Sequence, residues 1–193
     1  MNTGNDFNKL EELVVAGFGG QGVLSLGMTL AYAGMVEGKE ISWMPSYGPE
    51  MRGGTANCIT ILSEKKISSP IISLFDSAIV LNQPSMDKFA PRVKPGGLLL
   101  YESGNIFKPG IRTDINIIGI PASTEALLMK NAKIMNMIIL GAYLQLKPVV
   151  KIESILEALK KVLPEKYHHL LDINKQALEK GKALVMQQKE PVM

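Results

Sequence analysis

The sequence predicts an α/β protein: a three-layer, Rossmann-like domain with a mostly parallel mixed sheet and a helical C-terminal part. Two observations carry this. Residues 13–16 are a short apolar run that empties into Gly17-Phe18-Gly19-Gly20-Gln21-Gly22, and a helical period starts at Val23. Strand, glycine loop and helix in that order open nucleotide-type α/β domains. Beyond them, apolar runs alternate with helical stretches to about residue 120, and from Ser123 the pattern is helical only.

The first helix carries Val23, Leu26, Gly27, Leu30, Ala31 and Gly34 on one stripe, so its sheet-facing side is built partly from small residues, and Gly38 is placed to end it. Residues 41–44 read as a second strand running into a loop from Pro45 to Gly54. Residues 55–62 are rich in strand formers, and the link before them is barely long enough for a parallel crossover. This third strand is therefore expected antiparallel to the second. A short extended return is expected at 67–70, a buried strand at 77–81, and a helix entered at Pro84. A turn at 92–97 precedes strands at 98–101 and about 115–120. Residues 131–146 are apolar on nearly every side, which places that helix inside the fold or against a partner. An amphipathic helix ends before Pro164, and a last one is expected from about Leu171 to Gly181.

With 46% hydrophobic residues among 193, the chain can bury a full core. The expected division is a polar lead at 1–12, one α/β unit at 13–186 and a loose tail at 187–193. A net charge of +3, with lysines alternating with acids, argues against nucleic acid as a partner. The lone Cys58 excludes a disulfide framework and any Cys-rich zinc or iron–sulfur site held by this chain alone. The polar start is no signal peptide and no apolar run is long enough for a bilayer, so a cytoplasmic location is expected.

Gly17, Gly19 and Gly22 match G-x-G-x-x-G in a strand-to-helix setting, and a Cβ at Gly19 is expected to be unwelcome. An NAD site lacks its acid, because the second strand ends Trp43-Met44-Pro45. A Walker loop is excluded by Val23-Leu24 after Gly22. Binding of another phosphate group and a purely structural turn both remain open. The second candidate is the loop holding Ser46, Tyr47, Glu50, Arg52, Gly53 and Gly54, with Asn57 just beyond it. It should share the carboxyl edge of the sheet with Gly19, Gly20, Gln21 and Gly22, and an arginine there can fork onto phosphate or carboxylate. A surface ion pair of Glu50 with Arg52 is the plainer alternative. His168 and His169 have no triad partners at suitable spacing, Cys58 reads as a small buried hydrophobe, and no catalytic residue or metal set is legible.

The motifs G-F-G-G-Q-G at 17–22, W-M-P-S-Y-G-P-E-M-R-G-G-T-A-N-C at 43–58 and N-M-I-I-L-G-A at 136–142 resemble the gamma subunit of 2-oxoacid:ferredoxin oxidoreductases. The likeness runs from about Leu13 to Gly181, and the second motif looks closest to the 2-oxoglutarate branch. It implies a part in converting a 2-oxoacid, coenzyme A and oxidised ferredoxin to acyl-CoA, carbon dioxide and reduced ferredoxin. Thiamine diphosphate with magnesium is then expected on alpha and beta subunits and iron–sulfur clusters on partner subunits, with a delta subunit as a third candidate partner. A homodimer of the isolated chain is a further expectation. The two loops would face the active site or incoming coenzyme A; the competing reading is a non-catalytic nucleotide- or phosphate-binding module.

One prediction follows from the lone arginine. Arg52→Met keeps the apolar stem but removes the guanidinium fork, and should raise the Michaelis constant for coenzyme A or the oxoacid about tenfold to hundredfold. Separate titrations of each substrate in the assembled enzyme check it. Two unchanged constants would remove Arg52 from the working surface.

Overall fold

The computed structural model describes residues 10–47 and 54–189. Six strands form one sheet: β1 Leu10–Phe18, β2 Glu40–Tyr47, β3 Thr55–Ser63, β4 Phe75–Val80, β5 Val93–Glu102 and β6 Asn116–Ile120. Their order is β2-β3-β1-β4-β5-β6. β1, β4, β5 and β6 run parallel, whereas β3 is antiparallel to both β1 and β2, as the short link between β2 and β3 requires. Six α-helices complete the fold: α1 Val23–Val36, α2 Gln83–Phe89, α3 Ala122–Leu128, α4 Met135–Leu146, α5 Ile152–Val162 and α6 Leu171–Lys189.

Alternation along the strands sorts the core into two layers. Leu13, Val15, Ile79, Leu98 and Leu100 face α1 and the C-terminal helices. Val14, Ala16, Ala78, Val80 and Leu99 face α2 and the irregular segments around it. Because α1 and α2 cover opposite faces, the crossover reverses between β1 and β4, and the glycine loop stands at that switch point.

Two helical features explain the thick layer. Every residue of α4 from Met135 to Leu144 is buried, which decides for the inside of the fold over an exposed partner surface. Gly141 and Gly181 bring α4 and α6 into backbone contact: a Cβ at Gly141 would collide with the Leu178 carbonyl, and one at Gly181 with the Ile138 carbonyl. Gly181 is therefore a close-approach residue. The helix expected to end there runs on to Lys189.

Other boundaries move for identifiable reasons. β2 extends through Pro45 to Tyr47, since an edge strand tolerates a residue without an N–H. β1 starts at Leu10, inside the expected polar lead, because Glu11 is buried as an acceptor. Its carboxylate receives the Ser77 hydroxyl and the Tyr143 hydroxyl (2.9 Å), and Lys147 Nζ stands 3.4 Å away. On the opposite face Lys94 Nζ binds Glu12 (2.6 Å) and Asp76 (2.7 Å). Lys94 belongs to β5, which begins at Val93 where a turn was expected. The chain bulges out of the ladder before Leu98, with Gly96 at φ +76°. Residues 67–70 form no strand, and β4 begins two residues early at Phe75. Asn82 caps α2 by accepting from Ser85 N at 2.8 Å, as its place before Pro84 suggests.

Burial makes the fold alkali-sensitive. It pushes the Cys58 thiol from its ordinary 9.0 up to about 12, and burial together with the Glu11 carboxylate raises the Tyr143 phenol well above its ordinary 10. Above pH 9 the unfolded chain loses these protons while the native protein keeps them. Stability should therefore fall as pH rises, by up to about 1.4 kcal/mol per pH unit for each group. Urea titrations between pH 8 and 11 should show this decline, and Cys58→Ala should make it shallower. A flat profile in the parent contradicts the assignment.

Candidate functional site

The carboxyl end of β1 turns into α1 through residues 18–22, and this turn is held internally. Gln21 Oε1 accepts from Phe18 N at 2.6 Å while its Nε2 donates to Leu81 O at 3.0 Å, so the side chain staples β1 to β4 across the switch point. Gly20 (φ +99°) and Gly22 (φ +78°) occupy the left-handed region. Gly19, the glycine singled out from sequence, contributes its N–H to Gly54 O at 3.0 Å and so ties the two candidate loops together. Gly22 is the N-cap of α1 and supplies no side chain, and no acid stands in the first turn. The first N–H groups of a 14-residue helix are thus left to solvent or a ligand.

Beside this turn lies a cleft of about 690 Å³. Its floor is Gly19, Gly20, Gly22 and the opening residues of α1; its walls include Phe18, Trp43, Pro45 and Ala56, with Gly54 and Thr55 at the rim. The described lining carries no charged side chain. Chemically the cleft suits a group with an apolar body and a polar or anionic end near the α1 N-terminus.

The sequence-predicted residues divide accordingly. Gly19, Gly20, Gly22 and Gly54 meet in the cleft. Gly17 lies within β1, where a Cβ would stand 2.6 Å from Gln21 Oε1, so it makes room for the staple. Ser46 and Asn57 are cross-strand partners, next to the Pro45–Cys58 pair. Cys58 Sγ lies 3.5 Å from Val23 O on the α1 side, so strand alternation sends Ser46 and Asn57 to the opposite face, away from the cleft. Tyr47 ends β2 at the same edge; Glu50, Arg52 and Gly53 lie outside the described residues.

Trp43 and Asn136 were not singled out. Trp43 could have been placed by the alternation Ile41, Trp43, Pro45 against Ser42, Met44, Ser46. Asn136 is a lone amide in the apolar α4 and is only 8% exposed; a Cβ on Gly22 would stand 2.6 Å from its Nδ2. His168 Nε2 lies 3.0 Å from Leu163 O in a 3-10 turn, clear of the cleft. Among the described residues no group of three His, Cys, Asp or Glu could hold a metal ion, and no helix is long and apolar enough to cross a membrane.

The two left-handed glycines should respond differently to substitution. Gly20→Ala meets open space and should cost only backbone strain, about 1–2 kcal/mol. Gly22→Ala adds the overlap with Asn136 and should cost more. Adding Asn136→Ala should recover about 1 kcal/mol of that loss in a double-mutant cycle. Strict additivity in denaturant titrations would show that the amide does not press on the turn.

The description "Pyruvate ferredoxin/flavodoxin oxidoreductase" matches residues 12–184. The ketoisovalerate oxidoreductase subunit VorA of Methanothermobacter thermautotrophicus is 41% identical over 169 residues, 86% of this chain. This chain spans only about a third of the length of such relatives, 35% of that VorA. The 2-oxoglutarate synthase subunit KorC of Methanocaldococcus jannaschii is 30% identical over 80% of this chain and 84% of its own. Among solved structures, the gamma subunit of a keto/oxoacid ferredoxin oxidoreductase from Geobacter sulfurreducens superposes with TM-score 0.76 at 27% identity, covering 92% of this chain and 99% of that one. The 2-oxoglutarate:ferredoxin oxidoreductase of Magnetococcus marinus, solved with 2-oxoglutarate, coenzyme A and succinyl-CoA, gives 0.85 at 29% identity, covering 93% of this chain and 32% of that one. With the match extending from β1 into α6, the chain belongs to the pyruvate ferredoxin/flavodoxin oxidoreductase family.

Proposed function

We propose that the chain is the gamma component of a coenzyme A-dependent 2-oxoacid:ferredoxin oxidoreductase, in which a 2-oxoacid is oxidatively decarboxylated to an acyl-CoA and the electrons pass to ferredoxin. The carrying observation is the family match over residues 12–184, which takes in the glycine turn, β2, β3 and α4. A free-standing nucleotide-binding module has only the glycine turn in its favour. The proposed setting is a cytoplasmic complex with alpha and beta chains, and a delta chain where one exists.

Thiamine diphosphate with magnesium and the iron–sulfur clusters belong, in this reading, to those partner chains. The described residues here do not fit an iron–sulfur cluster or a metal held by acids and histidines: the single cysteine is fully buried with its thiol held protonated, and no such cluster of side chains converges. What this chain offers is the cleft. Its apolar walls suit the flexible arm of coenzyme A, and the uncapped α1 N-terminus suits a polar or anionic group at the end of such a ligand. Gln21 serves as the staple of that turn and Gly20 and Gly22 as its left-handed corners; Arg52, outside the described residues, is the proposed source of positive charge.

Two oxoacids compete as substrate. The 43–58 motif points to 2-oxoglutarate, whereas the 41% identity to a ketoisovalerate subunit against 30% to a 2-oxoglutarate subunit points to a branched-chain oxoacid. We favour the branched-chain substrate on that difference. Ferredoxin reduction by the purified complex, with each oxoacid and with pyruvate in turn, tests both levels. A ketoisovalerate specificity constant at least about tenfold above that for 2-oxoglutarate is expected. The reverse order would restore 2-oxoglutarate, and absence of coenzyme A-dependent reduction with any oxoacid would overturn the proposed activity.

A further inference from the structure

The face of the sheet opposite the long helices is thinly covered. Beyond α2 it carries two irregular segments, one leading into β4 and one joining β5 to β6. Both are pinned. Ile106 and Ile115 are buried anchors of the second segment. Between them Gln83 makes two hydrogen bonds to the Lys108 backbone, donating to its carbonyl (3.0 Å) and accepting from its N–H (3.2 Å). Arg112 donates to Ala90 O (2.9 Å) and Val93 O (2.6 Å). Arg92, two residues after Ala90, donates to Ser73 O (2.9 Å) and Ile72 O (3.3 Å) of the first segment. Two arginines thus lash both segments to one 3-10 turn at Ala90–Arg92.

On this frame three large apolar side chains face water. Phe107 is 85% exposed and Ile111 is 97% exposed, and Ile71, on the neighbouring segment, is 79% exposed. Scattered exposed apolar residues are ordinary, but three this bare on mutually tied segments are the pattern of an interface.

We propose that Phe107 and Ile111, flanked by Ile71, are the anchors by which this domain docks on the remainder of its oxidoreductase, the part that accompanies the same domain within one polypeptide in the longer relatives. The inference rests on the family membership and on two chain lengths: the likeness spans 35% of VorA and 32% of the Magnetococcus chain, so there the domain is joined to a larger body. That body must meet some surface of it. Of the described large apolar side chains the three barest are on this face; those of the helical layer, Met35, Leu127, Leu128 and Met186, are less exposed. A second copy of this chain is a poorer occupant. Inserting these side chains into a cleft of another copy is a heterologous contact that closes only if the rotation permits.

The test titrates the purified chain against its oxidoreductase purified without it. Phe107→Ser/Ile111→Ser should melt like the parent, since both side chains are already in water. It should bind the remainder at least about thirtyfold more weakly. Leu127→Ser/Leu128→Ser, on the α3 end, removes two comparably bare residues (66% and 71% exposed) and should bind like the parent. Parent-like binding by the 107/111 variant overturns the proposal, as does loss confined to the 127/128 variant. A parent dimer in sedimentation that the 107/111 variant abolishes would assign the patch to self-association instead. If the parent itself does not bind the remainder, the oxidoreductase reading falls and the docking proposal with it.

Discussion

The burial of α4 is the constraint on which the rest of the structure depends. An apolar helix of 12 residues has to be enclosed on all sides, and here the sheet, α3 and α6 enclose it. Close enclosure demands small residues where backbones meet, which explains Gly141 against Leu178 and Gly181 against Ile138. It also fixes the few polar groups of α4 as points of attachment. Tyr143 donates to the buried Glu11 of β1 at one end, and Asn136 presses beneath Gly22 at the other. A core helix thereby holds both ends of the first strand unit.

That attachment has a consequence for the site. The turn from β1 to α1 is shaped by its own glycines, by the Gln21 staple to Leu81 and by the Asn136 amide behind it. The cleft beside it inherits a rigid floor. Its walls come from edge strand β2 and from β3, the antiparallel part of the sheet. The division is useful: a parallel core supplies the fixed helix N-terminus, and an antiparallel flap supplies the apolar surface. The described lining carries no charged side chain, and it reads as a shape-selective surface with a polar end.

The two faces of the sheet differ in the same sense. The helical side is thick and encloses α4 completely from Met135 to Leu144. The other side has one short helix and two segments lashed by Arg92 and Arg112, with apolar side chains left in water. An isolated domain gains nothing from such exposure, since each large apolar side chain left in water forgoes about 1.5–3 kcal/mol. The docking proposed for this face accounts for the unequal covering.

Much of this was legible in the linear chain. The strand–glycine–helix opening, the antiparallel third strand, the helix entry at Pro84 and the all-round apolar character of the helix within residues 131–146 follow from local chemistry: glycine conformations, link length, proline placement and periodicity. The misreadings share one cause. Pro45, Gly96 and Gly181 are breakers by local rule, yet each sits inside an element because a distant neighbour changes what the position needs. Pro45 is on an edge, Gly96 lies in a bulge, and Gly181 touches another helix. Ser46 and Asn57 were grouped with the glycines by sequence proximity, whereas strand register turns them to the other face. The sequence by itself determined which residues can bend, cap and fill. Only the tertiary structure decided which face each strand presents and which glycines are turns or contacts, because those depend on partners distant in sequence, as Ile138 is from Gly181 and Tyr143 from Glu11.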